Sequence, residues 1–263
     1  LRVVCDLYPS SIGGVELHAH ELSKAQAELG HKVTVITSRH IGQSAHEFVG
    51  GYEVIRVKEL LSVLGNPISP SLLFNLINII DDFDIIHAHS HLSFSTNICA
   101  ALRKITSTPL IITNHGLVSQ TAPLVLQDLY LPTIAKWTLN SADRIICYTE
   151  YERAELTKLN IPAENITIIP NGIDTDLFRN NPDNSPNNYI LWIGRYTPGK
   201  GVEYLIDAFA KFQKNYPDFY LRMVGRGPEK DAAIEQIKKL DLENSVIMND
   251  FIPNDELPDI YSN

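Results

Sequence analysis

Short apolar runs rich in Val and Ile alternate along this chain with stretches whose apolar residues recur every three or four positions. The first pattern fits buried strands and the second fits amphipathic helices. Their alternation predicts an α/β fold of parallel sheets with crossover helices. Residues 2–6 predict the first strand. Gly13 and Gly14 open a helix that runs to Leu29, with Gly30 as its stop. Strands follow at 32–38 and 52–57. A helix from about Pro70 leads to a strand at 84–89, and a helix at 93–104 to a strand at 109–115. A helix at 124–140 precedes a strand at 143–149, and a short helix precedes a strand at 165–172.

Residues 179–188, RNNPDNSPNN, are polar, aperiodic and rich in Pro and Asn, which predicts a linker. The strand–helix pattern then restarts, with strands at 189–194, 219–225 and 245–249. In the helix after the first of these, Val202, Leu205, Ile206, Phe209 and Phe212 form a stripe at helical spacing that packs on a sheet. The expected organisation is a Rossmann-like domain over 1–178, a linker over 179–188 and a second Rossmann-like domain over 189–263. Two doubly wound units of this kind face a cleft, with ligands outside the carboxyl ends of the strands. The chain begins within an apolar strand and stops within a helical pattern. We therefore expect a fragment, truncated at its C-terminus, whose second domain is incomplete.

Composition narrows the chemistry. A net charge of −9 argues against a nucleic-acid surface, so any phosphate is held by a few placed cations. The three cysteines are far apart and lack metal spacing, which fits a reducing, cytoplasmic setting. No apolar run approaches 18 residues. Residues 71–80, SLLFNLINII, read as a buried amphipathic helix. The lone sequon at Asn165 opens a strand and is given no role.

The stretch GRYTPGKG, 194–201, resembles a P-loop until Gly201, where a hydroxyl should bind Mg²⁺. Pro198 also removes a backbone N–H from the loop. What is left is Arg195 past a strand end and Lys200 near a helix start, a pair able to neutralise a diphosphate by side chains alone. A solvated surface turn is the competing reading. Gly13 and Gly14 place backbone N–H groups and a helix dipole where an anion could approach, or else make only a tight turn. His87, His89 and His91 alternate along a strand end, but no carboxylate or cysteine joins them. We read them as hydrogen-bonded polar groups and expect no metal.

Six segments together resemble the GT-B glycosyltransferases of family 4: YPSSIGGVE (8–16), DIIHAHS (84–90), TNHG (113–116), IIPNGIDTDLF (168–178), GRYTPGKG and VGRGPE (224–229). The resemblance covers nearly the whole chain. It implies a retaining transferase that moves a sugar from a nucleotide-diphosphate-sugar to an acceptor. Gly13, Gly14, Arg195 and Lys200 match the elements that hold the donor diphosphate, and His115 the histidine near the transferred sugar. Gly194, Gly225, Arg226 and Gly227 match the nucleotide side, with Phe251, Ile252 and Pro253 beside the base. Asp250 stands where the family usually has glycine. Glu235 and Glu243 have the spacing of the family's glutamate pair but precede the strand that should come before it, so we reject them. The true pair should lie beyond Asn263, and this fragment is expected to be inactive.

The resemblance further implies no cofactor, since the nucleotide-sugar is a co-substrate. It implies a sugar, lipid-linked or small-molecule acceptor, no nucleic acid, and a cytoplasmic enzyme in weak peripheral contact with the inner membrane face. A sugar-nucleotide epimerase of the same fold lacks a convincing acid/base carboxylate pair. A non-catalytic nucleotide-sugar-binding subunit is the non-enzyme alternative, and a P-loop NTPase is disfavoured by Gly201.

Overall fold

The computed structural model describes residues 1–9, 13–119, 122–178, 188–253 and 256–262. The chain divides into two compact units, Leu1–Asn171 and Gly172–Asn263. The expected linker at 179–188 lies, apart from Asn188, outside the described residues.

In unit 1 the elements run β1 (Arg2–Val3), α1 (Gly14–Glu28), β2 (Thr34–Arg39), β3 (His46–Val49), β4 (Tyr52–Lys58), β5 (Leu61–Val63), β6 (Asn66–Ile68) and α2 (Ser71–Ile79). They continue with β7 (Ile86–His89), α3 (Phe94–Leu102), β8 (Leu110–Thr113), α4 (Leu124–Tyr130), α5 (Lys136–Asn140), β9 (Arg144–Cys147), α6 (Glu150–Lys158) and β10 (Ile166–Ile168). The main sheet has the order β10-β9-β8-β7-β1-β2-β4-β3, parallel except for the edge pair β3–β4. Val3, Ile36, Ile86, Ala88, Leu110, Ile112 and Ile145 fill its centre, and Leu76, Ile80 and Leu102 from the helical layer pack on them. The order reverses between β1 and β7: the chain winds outward through β2 and β4 on one side and through β8, β9 and β10 on the other. In open α/β sheets that reversal opens a crevice at the carboxyl ends of the two flanking strands.

The elements depart from expectation where local signals are weak. β1 spans only two residues, although the chain stays beside β2 through the bonds Val4 N–H to Ile36 O (3.1 Å) and Ser38 N–H to Cys5 O (3.0 Å). The antiparallel edge strand β3 and the hairpin β5–β6 were not expected. The helix expected at 124–140 is carried through Leu131–Ala135 by a π-helical turn. Pro132 cannot donate within a regular α-turn, and the wider turn accommodates it.

Unit 2 holds β11 (Tyr189–Ile193), α7 (Val202–Gln213), β12 (Tyr220–Val224), α8 (Lys230–Lys239), β13 (Val246–Asn249) and α9 (Leu257–Ser262). Its sheet is parallel, in the order β11-β12-β13. The apolar stripe of α7 behaves as its spacing requires. Val202, Ile206 and Phe209 are buried in the core, with Leu205 and Phe212 packed against it. Glu235 on α8 and Glu243 beyond it are both exposed.

Candidate functional site

In unit 2 the loops after β11 and β12 are tied to each other. Gly194 N–H donates to Val224 O at 3.0 Å, Tyr196 N–H to Arg226 O at 3.0 Å, and Glu229 N–H back to Tyr196 O at 3.1 Å. This approach requires glycine. A Cβ on Gly225 would lie 1.8 Å from Gly194 O, and one on Gly227 would lie 2.3 Å from Tyr196 O. Gly194, Gly225, Arg226 and Gly227, named separately from the sequence, therefore meet at one place.

The first loop leads into α7. Arg195 follows β11 by two residues and Lys200 precedes α7 by two, with Gly199 and Gly201 at positive φ making the turn. Both cationic side chains are exposed, and neither pairs with a carboxylate among the described residues. Lys230, in contrast, is ion-paired with Asp250, and that bond holds the Asp250 carboxyl below the usual carboxylate range. The Arg226 guanidinium lies 6.0 Å from the centroid of the Phe251 ring, which is 41% exposed. Ile252 turns inward against Val224 and Ile260, and Pro253 is half-buried. Among the described residues unit 2 thus offers two cations without a carboxylate partner and an exposed aromatic ring, all on loops that follow strands of one parallel sheet. The Tyr196 hydroxyl and Thr197 Oγ1, in the same loop, are buried without a hydrogen-bond partner among the described residues.

In unit 1, Gly13 caps α1 in an extended conformation, and Leu17 N–H donates to its carbonyl at 3.0 Å. A Cβ on Gly13 would lie 2.2 Å from Glu16 Oε2. A carboxylate of the chain's own therefore sits at the helix opening, where the dipole favours negative charge. Nothing crowds Gly14 within 4 Å.

At the reversal of strand order lies a set of side chains that the sequence reading only partly named. Arg2 on β1 stands in register with His87 on β7. It is 2% exposed, and among the described residues no carboxylate pairs with it. Neutral acceptors hold it instead. Nε donates to His89 Nε2 at 3.1 Å, Nη2 to Gln26 Oε1 at 2.8 Å, and Nη1 to Ser23 Oγ. Burial lowers the Arg2 pKa to about 10, which leaves it charged at neutral pH. His89 Nδ1 lies 2.9 Å from His115 Nε2, and His115 Nδ1 lies 2.8 Å from Tyr148 Oη. His18 on α1 stands edge-on to His89, His115 and Tyr148, with ring centroids 5.6, 5.3 and 6.0 Å away.

These histidines are held neutral. Burial, with Arg2 and neighbouring rings adding to it, pushes His87 down to about 3 and His89 far below its usual value. Burial and then His18 bring His115 to about 3. His91, bonded to Asn114 Oδ1 at 2.9 Å, falls to about 4 through burial. His87 and His89 stack on one face of the strand end, with centroids 4.5 Å apart, as the alternation requires.

His18, His89 and His115 bring one ligand-capable atom each within 4.8 Å of one another. The arrangement is already used, however. His89 Nδ1 and His115 Nε2 share a single hydrogen bond, and the Arg2 cation occupies the other nitrogen of His89, so a metal ion would have to break both. Of this set the sequence reading placed only His115 in the site. Arg2 and Tyr148 escaped it because parallel strand pairing brings them together, and His18 because it reaches them from α1. The one available signal was an arginine inside an apolar strand.

Residues 12–177 match the family described as Glycosyltransferase Family 4, and residues 174–263 match Glycosyl transferases group 1. The chain is 25% identical over 269 residues to the phosphatidylinositol N-acetylglucosaminyltransferase gpi3 subunit of Schizosaccharomyces pombe, covering 98% of this chain and 58% of that protein. It is 24% identical over 279 residues to the phosphatidylinositol N-acetylglucosaminyltransferase GPI3 subunit of Saccharomyces cerevisiae, covering 99% and 60%. The chain therefore spans less than two thirds of the length of these relatives. Among solved structures it is similar to Anabaena HepE in complex with UDP and glucose, with a TM-score of 0.75, 20% identity, and coverage of 99% of this chain and 71% of that one. It is also similar to WaaG, a glycosyltransferase involved in lipopolysaccharide biosynthesis, with a TM-score of 0.70, 16% identity, and coverage of 97% and 71%. These structural likenesses establish the α/β, GT-B type of fold. With the match over 12–177, they make this chain a member of Glycosyltransferase Family 4.

Proposed function

We propose that this chain belongs to a retaining glycosyltransferase whose unit 2 holds a nucleotide-diphosphate-sugar and whose unit 1 receives the acceptor. The observation that carries this reading is the pair Arg195 and Lys200. Two exposed cations without carboxylate partners among the described residues flank a strand end and a helix start, on a loop bonded through Tyr196 N–H to Arg226 O, whose side chain faces Phe251. A diphosphate satisfies both charges, and an aromatic face suits a base. Two cations in place of a carboxylate cluster support binding without a divalent ion, since Mg²⁺ sites are built from carboxylates and water. In transfer the same pair would stabilise the leaving diphosphate.

The buried hydroxyls of Tyr196 and Thr197, unpartnered among the described residues, support a loop that rearranges around its ligand, because leaving such groups unpaired is costly. The base is uracil in our reading, supported by the UDP that HepE carries. The acceptor is a sugar, a lipid-linked sugar or a small molecule. Leu124, Val125 and Leu129 on α4 are exposed, which supports weak peripheral contact of a cytoplasmic enzyme with the inner membrane face.

A thermal-shift panel of UDP-, GDP- and ADP-sugars tests the donor class. We expect UDP-sugars to raise the melting temperature most. Indifference to every nucleotide-sugar contradicts the reading. Retention is checked by the anomeric configuration of the transferred sugar in the product's NMR spectrum, and an inverted product refutes it.

A further inference from the structure

The hairpin β5–β6 gains little from apolar burial, since Leu61, Ser62 and Val63 are all exposed. Polar bonds at its base hold it instead. Asn66 Nδ2 donates to Leu92 O at 2.9 Å, and Asn66 Oδ1 accepts from Phe94 N–H at 3.1 Å. These two bonds tie one side of the base to the start of α3. Burial raises the Cys5 thiol above its usual range, so it stays protonated, and its S–H reaches the same Oδ1 at 3.7 Å.

The other side of the base differs. Ser69, between β6 and α2, is 4% exposed, and its Oγ is buried with no hydrogen-bond partner among the described residues. Ser69 lines a small pocket of unit 1 together with Cys5 beyond β1, Ser38 on β2 and Ser95 in the first turn of α3, while Val57 and Leu72 line it with apolar surface. The space open to the centre of a water-sized molecule is ≈ 10 Å³, which holds one water and nothing larger. Ser95 Oγ lies 3.8 Å from Cys5 Sγ, a weak contact that leaves this hydroxyl with bonding capacity to spare. Apolar cavities stay dry, whereas a buried water needs two to four polar partners, and two hydroxyls and a thiol supply them. No carboxylate lines the pocket and the thiol is protonated, so its walls suit a neutral ligand rather than a cation.

We propose that this pocket binds one water molecule, which bridges Ser69 Oγ to Ser95 Oγ and Cys5 Sγ and so ties the second side of the hairpin's base to α3 and β1. The site lies wholly within unit 1 and is independent of the glycosyltransferase reading.

The sign of one substitution tests it. Were Ser69 Oγ an orphan, Ser69→Ala would remove a buried unsatisfied group and strengthen the hairpin; with a bridging water, the same change loses the bridge. The readout is hydrogen exchange at the Leu60 amide, which donates to Ile68 O at 2.9 Å across the hairpin. We expect this amide to exchange about three- to tenfold faster in Ser69→Ala. Exchange at or below the wild-type rate overturns the proposal. A crystal structure at a resolution that shows ordered solvent reads the water directly. We expect one water within hydrogen-bond distance of Ser69 Oγ and of Ser95 Oγ or Cys5 Sγ, and a dry pocket overturns the proposal.

Discussion

At the scale of single residues, the most unusual feature of unit 1 is a buried arginine surrounded by neutral rings. Burying a cation is costly unless its donors find acceptors, and the five N–H groups of Arg2 face five: His89, Ser23, Gln26, the Ala19 carbonyl and His87 Nδ1 at 3.4 Å. Its charge also helps keep the neighbouring histidines unprotonated. That has a measurable consequence for stability. Histidine ordinarily titrates near 6.5, whereas His87 and His115 sit at about 3 and His91 at about 4 in the fold. Between those values the unfolded chain binds protons that the folded one refuses. Their contribution is therefore complete above about pH 6.5 and is lost progressively as pH falls toward 3 to 4. Each ring costs up to about 1.4 kcal/mol per pH unit in that window. Urea denaturation of unit 1 should show a midpoint that falls steadily from pH 7 to pH 5. A midpoint constant over that range would mean these rings titrate normally.

At the scale of elements, unit 2 depends on two loops that approach closer than any side chain permits. Gly225 has φ +155 and would drive a Cβ into the Gly194 carbonyl. Gly225→Ala and Gly227→Ala should each destabilise unit 2 by about 3 kcal/mol or more, because the hydrogen bonds between the loops cannot form around the clash. Gly14→Ala is the contrast: α1 starts there, nothing lies within 4 Å, and the change should be neutral or slightly stabilising. Thermal unfolding of the three variants separates these outcomes. Equal melting temperatures would show that the loops yield easily.

The same elements show what a sequence can and cannot reveal. The stripe on α7 and the strand that ends at His89 were legible because their periodicity is local. So were the glycine turns, whose residue type reflects backbone geometry directly. The edge strand β3 and the hairpin β5–β6 were not, since short antiparallel strands at a sheet margin bury little and leave no clear alternation. The π-helical turn at Pro132 read as ordinary helix because the apolar spacing on either side continues through it.

At the scale of the whole molecule, the family and fold were legible in six ordered segments, and the match over 12–177 places the chain among Glycosyltransferase Family 4. The cationic loop that carries Arg195 and Lys200 was legible too, since strand end, cation and helix start are neighbours in sequence. The Arg2–His89–His115–Tyr148 series was not, because it joins residues from four strand ends that come together only through parallel register. The proposed function stands or falls on whether Arg195 and Lys200 receive a nucleoside diphosphate without a metal ion. Calorimetric titration of UDP into the chain in EDTA, for the wild type, Arg195→Ala and Lys200→Ala, decides the matter. We predict wild-type binding unaffected by EDTA and a loss of about 1.5–3 kcal/mol, roughly ten- to a hundredfold in affinity, for each substitution. Binding that disappears with EDTA, or that survives both substitutions unchanged, would contradict it.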